Sequence, residues 1–134
     1  MIYRYPLTIK EFHLDSYGHV NNATYLALLE EARGEAITER GYGYDKVHES
    51  GRGPVILEAN LKFSKELTLR EKVVITMELV SYEGRIMKLR QHIFKENGEM
   101  ACEALITAAF FDLAQRKIIM PDEAWKKAVG ISSP

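Results

Sequence analysis

With 134 residues, 46% of them hydrophobic and 28% charged, the chain has the size and composition of one compact domain that folds without staples. Its formal net charge of -1 argues against a broad nucleic-acid footprint, and no apolar run reaches the length of a membrane-spanning helix. The one cysteine, Cys102, leaves no disulfide to form within the chain, which fits a reducing compartment.

The first residues, "MIYRYPLTIKEF", have no apolar leader core, so the cytoplasm is the expected location. Residues 5–13 mix β-branched and aromatic side chains, with Pro6 near the start, and predict an early or edge strand. The stretch "DSYGHVNNATYL" follows, from Asp15 to Leu26. Asn21 or Asn22 can cap a helix here. Tyr25, Leu28, Leu29, Ala32 and Ala36 then recur at helical spacing as one apolar stripe, and Gly41 is a suitable stop. Gly34 inside this helix costs about 1 kcal/mol against alanine, and a close approach to a sheet would explain it.

"YGYDKVHESGRGP" reads as a loop, with room for one helical turn. From Val55 the period becomes two. Val55, Leu57, Ala59, Leu61 and Phe63 are expected on one face, and Ile56, Glu58, Asn60 and Lys62 on the other. "KVVITMELV" and Arg85 to Lys95 predict two more strands, and Asn97-Gly98 a hairpin turn. "EMACEALITAAFFDL" is nearly continuously apolar, as a central strand covered on both faces would be. Arg116 to Met120 can add a short strand, and "PDEAWKKAV" a short helix. The sum is a single α+β domain over residues 1–134, one long helix packed on an antiparallel sheet of five or six strands.

Two bland readings of the opening motif stand beside any chemical one. Asp15 can form an Asx turn, and the asparagines can simply cap. His13, Asp15 and His19 are possible metal ligands, with His13 and Asp15 on one strand face. Their spacing matches no standard zinc or iron pattern, so no metal is expected.

The strand, the motif D-S-Y-G-H-V-N-N-x-x-Y, the long helix and the strand run resemble the hotdog-fold thioesterases over essentially the whole chain. The similarity is greatest to the 4-hydroxybenzoyl-CoA thioesterase-like branch, which has an aspartate three residues before a glycine at the helix entrance. The "HVNN" tetrad is similar to that of the acyl-ACP thioesterases of plants and bacteria. The resemblance implies hydrolysis of acyl-CoA thioesters without a cofactor. Thioesters on acyl carrier protein are the alternative substrate, and acyl-thioester binding without hydrolysis is the alternative function. It also implies a homo-oligomer, dimer or tetramer.

Thioester hydrolysis needs a base or nucleophile for the carbonyl carbon and donors for the oxygen that becomes negative. The resemblance assigns the first role to Asp15, as general base or nucleophile. It assigns the second to a backbone N–H near Asn22, aided by the helix dipole. His19 is expected as an orienting hydrogen-bond partner. The acyl-ACP relatives place an asparagine two residues after the aspartate, where this chain has Tyr17. Glu58 is a candidate second acid supplied across subunits, against the plainer reading of a solvated surface group; Glu31 is another. Gly18 is expected to give a positive-φ turn or a close backbone approach to substrate. Tyr25 is a core residue whose hydroxyl can reach the site mouth. Lys62, Lys65, Arg85, Lys88 and Arg90 are candidates for the phosphates of coenzyme A.

Overall fold

Asn21 starts the long helix. Its Oδ1 accepts from the Ala23 N–H at 2.9 Å, and α1 runs Asn22–Glu39. The computed structural model describes residues 2–131. Before α1 lies β1 (Tyr3–Thr8), then a 3-10 turn at Glu11–His13. After it come α2 (Tyr44–Ser50), β2 (Arg52–Phe63), β3 (Lys72–Glu83), β4 (Ile86–Lys95), β5 (Met100–Asp112), β6 (Lys117–Ile119) and α3 (Glu123–Ala128). The sheet has the order β1-β3-β4-β5-β2, every pair antiparallel, and β6 extends the far end of β5. The architecture is the expected one, a helix laid on one face of an antiparallel sheet.

The apolar stripe of α1 is buried as its spacing predicts: Tyr25, Leu28, Leu29, Ala32 and Ala36 are all buried. They meet Val73, Ile75 and Met77 of β3, Met87, Leu89 and Ile93 of β4, and alternate residues of β5 in one core. Each large side chain in that layer contributes about 1.5–3 kcal/mol by leaving water. Past the helix, Gly41 adopts φ +90°, the left-handed conformation that ends the turn without a Cβ penalty. Trp125 of α3 stacks on Phe110 at 5.1 Å between ring centroids, and Tyr42 meets both rings edge-on. This cluster fixes the far end of the sheet to the chain leaving α1.

Several expectations are corrected. The first strand ends at Thr8 instead of running to residue 13, because the ring Nδ1 of His13 accepts from the Lys10 N–H at 2.9 Å and closes the 3-10 turn. His13 and Asp15 therefore share no strand face. In β2 the register against β5 shifts between Ile56 and Glu58. The bulge moves Ile56 onto the face of Ala59, Leu61 and Phe63, and puts Val55 with Glu58, Asn60 and Lys62. β5 lies between β4 and β2 but is covered on one face only: Ala104, Ile106 and Ala108 are buried, while Glu103, Leu105 and Thr107 are partly exposed. A Cβ on Gly34 would meet nothing within 4 Å, so no close approach to the sheet explains that glycine.

Candidate active site

The site is built by a loop that folds back on itself just before α1. Leu14 bridges Val20, and the Asp15 N–H donates to the His19 carbonyl at 2.8 Å. Gly18, at φ +80°, makes the reversal possible, and its N–H returns to the Asp15 carbonyl at 3.1 Å. The Asp15 side chain is anchored from within this loop. Its Oδ1 accepts from the Tyr17 N–H at 2.9 Å and from the His19 N–H at 3.3 Å. Among the described residues Oδ2 accepts no hydrogen bond.

The next turn supplies donors. Asn21, not Asp15, is the helix cap. The Ala23 N–H is taken up by Asn21 and by the Asn22 side chain at 3.1 Å. The Asn22 N–H donates to no acceptor among the described residues. It sits at the positive end of an 18-residue helix.

Asp15, His19, Asn22 and Tyr25 line one groove of about 460 Å³, closed on its other side by Phe63, Ser64, Lys65 and Glu66. The far wall is tied to the loop by main-chain bonds: the Val20 N–H donates to the Leu67 carbonyl at 2.9 Å, and His19 bridges Thr68. Tyr25 is buried, packs edge-on against Phe63 and donates to the Lys65 carbonyl at 3.3 Å. Burial pushes its phenol up to about 12, so the hydroxyl stays protonated and acts as a donor. His19 Nε2 lies 3.0 Å from Glu66 Oε2.

The structure thus brings Asp15, His19, Asn22, Tyr25 and Lys65 to one groove, while Gly18 shapes the loop and does not line it. It does not bring the other candidates to this groove within one protomer. Glu58 and Lys62 pair with Thr107 and Glu103 on the face of the sheet opposite α1. Lys88 and Arg90 lie on that same face of β4, paired with Thr107 and Leu105. Arg85 lies in the turn between β3 and β4. Glu31 accepts from the Tyr5 hydroxyl on β1, which helps push that phenol up to about 12. His13 is committed to the 3-10 turn, and no three histidine, cysteine or acidic side chains converge as a metal site among the described residues. The sequence reading missed Phe63, Ser64 and Glu66. Their place follows from the pairing of residues 19–20 with 67–68, which no local pattern announces.

Residues 11–129 match the sequence profile described as the thioesterase-like superfamily. The chain belongs to this superfamily. A curated member, the long-chain acyl-CoA thioesterase FadM of Escherichia coli (strain K12), is 32% identical over 84% of this chain and 86% of its own. The chloroplastic acyl-acyl carrier protein thioesterase ATL3 of Arabidopsis thaliana is 29% identical over 92% of this chain and 65% of its own. Among solved structures, a Staphylococcus aureus protein in complex with CoA superposes with a TM-score of 0.90 at 16% identity, over 96% of this chain and 82% of that one. The helix-on-sheet architecture of this superfamily member is the hotdog fold.

Proposed function

We propose that this protein hydrolyses acyl-CoA thioesters to a free acid and CoA. The observation that carries the reading is a pair that lines the same groove: the Asp15 carboxylate, with one oxygen anchored and the other accepting no hydrogen bond among the described residues, and the Asn22 N–H at the helix N-terminus, which has no acceptor among them. On the general-base route Asp15 Oδ2 takes a proton from water. The hydroxide adds to the carbonyl carbon, and the Asn22 N–H donates to the oxygen as it becomes negative. The carbon–sulfur bond then breaks, and the departing thiolate receives the proton held by Asp15. On the nucleophilic route Oδ2 adds to the carbon itself, thiolate leaves, and water cleaves the resulting anhydride. Mass spectrometry of acid-quenched enzyme separates the two, since only the second route leaves an acylated Asp15.

The similarity to a long-chain acyl-CoA thioesterase supports coenzyme A as the carrier. The similarity to a plant carrier-protein thioesterase supports acyl carrier protein as the second reading. Thiol release from matched acyl-CoA and acyl-carrier-protein substrates, over short, medium, long and aromatic acyl groups, tests both. No release from any of them removes the proposal.

A homodimer or tetramer is part of the same reading. Strand β2 pairs with β5 on one side only, so its other edge is open. Ile56, Leu57 and Phe63 on it are 42%, 47% and 51% exposed. Gly34, Pro54 and Ile56 line an apolar groove of about 260 Å³ beside α1, and a second copy against this edge would fill it. Glu58, Lys62, Arg85 and Lys88 could then serve only a groove other than their own protomer's. Light scattering at micromolar concentration tests the assembly, and a stable monomer would remove it.

A further inference from the structure

We propose that Gly34 sets the length of the acyl tail this protein accepts, by holding open an apolar groove in which a long tail ends; this rests on the reading of the Asp15 groove as an active site. Gly34 lies inside α1, where glycine weakens a helix relative to alanine. No close packing accounts for it, since a Cβ there would meet nothing within 4 Å. Gly34 instead lines the groove of about 260 Å³ between α1 and β2, with Ile37 on the helix and Pro54 and Ile56 on the strand. A side chain at this position takes space from that groove.

The floor of the groove suits hydrocarbon. Met77, Met87 and Leu89 line it from the sheet, each 2% exposed. Methionine side chains adapt their shape to what packs against them. Of the two charged residues in the lining, Arg33 is turned through Nη1 to Gln91, and Glu30 is exposed to solvent. A second copy against the β2 edge meets the exposed Pro54 and Ile56 at the rim and leaves the buried floor to the tail.

The spacing links this groove to the reacting carbonyl. At about 1.5 Å per residue, Gly34 lies about 18 Å along α1 from Asn22. An extended hydrocarbon advances about 1.25 Å per carbon, so about fourteen carbons span the distance. An apolar track joins the two ends. On the strand, Phe63 lines the Asp15 groove, and Leu61, Ala59 and Ile56 follow it on the same face. Phe63, Ala59 and Ile56 stand exposed although they point to the α1 side of the sheet, so the track is uncovered within one protomer. On the helix, Leu26 lies one turn from Asn22 and one turn from Glu30, on the flank that carries both, and is 42% exposed.

Two readouts test the assignment. Thiol release from hexanoyl-, dodecanoyl- and hexadecanoyl-CoA is measured for wild type, Gly34→Ala and Gly34→Leu, with the assembly of each followed by light scattering. Gly34→Leu is expected to lose about 10- to 200-fold in kcat/KM on the hexadecanoyl substrate and far less on the hexanoyl one. Gly34→Ala is expected to fall between wild type and Gly34→Leu, and to melt no lower than wild type. Equal losses at every length, or an unchanged profile in a well-folded Gly34→Leu protein, would overturn the proposal. Loss of the assembly would do the same, because it gives the groove to side chains of the second copy. The other readout needs no turnover. A hexadecyl thioether of CoA with a diazirine at the tail end is cross-linked to wild type, and the adducts are mapped by mass spectrometry. Labelling of residues 30–37, or of Met77 and Met87, is expected, and labelling confined to other residues would overturn the proposal. Label at the groove of a protein that releases no thiol counts against the proposed reaction and supports the groove as the seat of the tail.

Discussion

Arg33 of α1 donates from Nη1 to Gln91 Oε1 of β4 at 3.0 Å, inside the layer between helix and sheet. Both residues are buried, and Gln91 Nε2 donates onward to the Leu29 carbonyl at 3.1 Å. The helix is thus tied to the sheet by a polar thread through an apolar core. Arg33→Met leaves the Gln91 carbonyl unpaired and is expected to cost about 1–3 kcal/mol. Gln91→Leu strands a buried guanidinium and is expected to cost about 3–5 kcal/mol. The double variant should lose less than the sum, because it removes both unpaired groups. Urea denaturation of the three proteins measures the coupling.

Asp15→Asn keeps an oxygen for the Tyr17 and His19 N–H groups but loses the charge, so melting should hardly move while kcat falls by about 10²–10⁴-fold. Asp15→Ala also loses the anchor and should melt lower. Near-wild-type turnover by a well-folded Asp15→Asn protein would leave this carboxylate as a loop brace and nothing more.

Asn21→Ala removes the α1 cap that the Ala23 N–H uses. It is expected to cost about 1 kcal/mol, within a range of about 0.5–2 kcal/mol. Thermal melting checks it, and an unchanged melting temperature would mean the neighbouring Asn22 oxygen takes over the cap.

His13 gives the fold an acid-side weakness. Burial holds its imidazole below the ordinary value of 6.5, and its Nδ1 accepts a main-chain N–H, which requires the unprotonated ring. The unfolded chain binds the proton first, so stability present above 6.5 is lost as pH falls through the folded value. Melting temperature should drop between about pH 7 and about pH 5, and drop less in His13→Asn, which offers a neutral acceptor.

The long helix was legible because its signals are local: Asn21, a spaced apolar stripe and Gly41 mark start, face and stop. The strands were legible from alternation, except where two neighbours are equally apolar. Ile56 and Leu57 are such a pair, and period alone does not say which one the bulge sets aside. The burial of Arg33 and Gln91 carries no local sequence signal, because only a tertiary partner permits it. In the site, Asp15 and Asn22 were readable from eight consecutive residues. Glu66 was not, since it reaches His19 through a strand-like bridge between segments nearly fifty positions apart in the chain, from 19 to 68.

Asp15 is held by the amide hydrogens of Tyr17 and His19, and the side chains of Ser16 and Tyr17 stand exposed to solvent. Any residue with an N–H supplies that grip, and only proline would break it. The middle of the loop is therefore open to drift across lineages. The residue two places after the aspartate can change without loosening the carboxylate, so long as it keeps its main-chain N–H. The tyrosine found there keeps its side chain in solvent and leaves the anchorage intact.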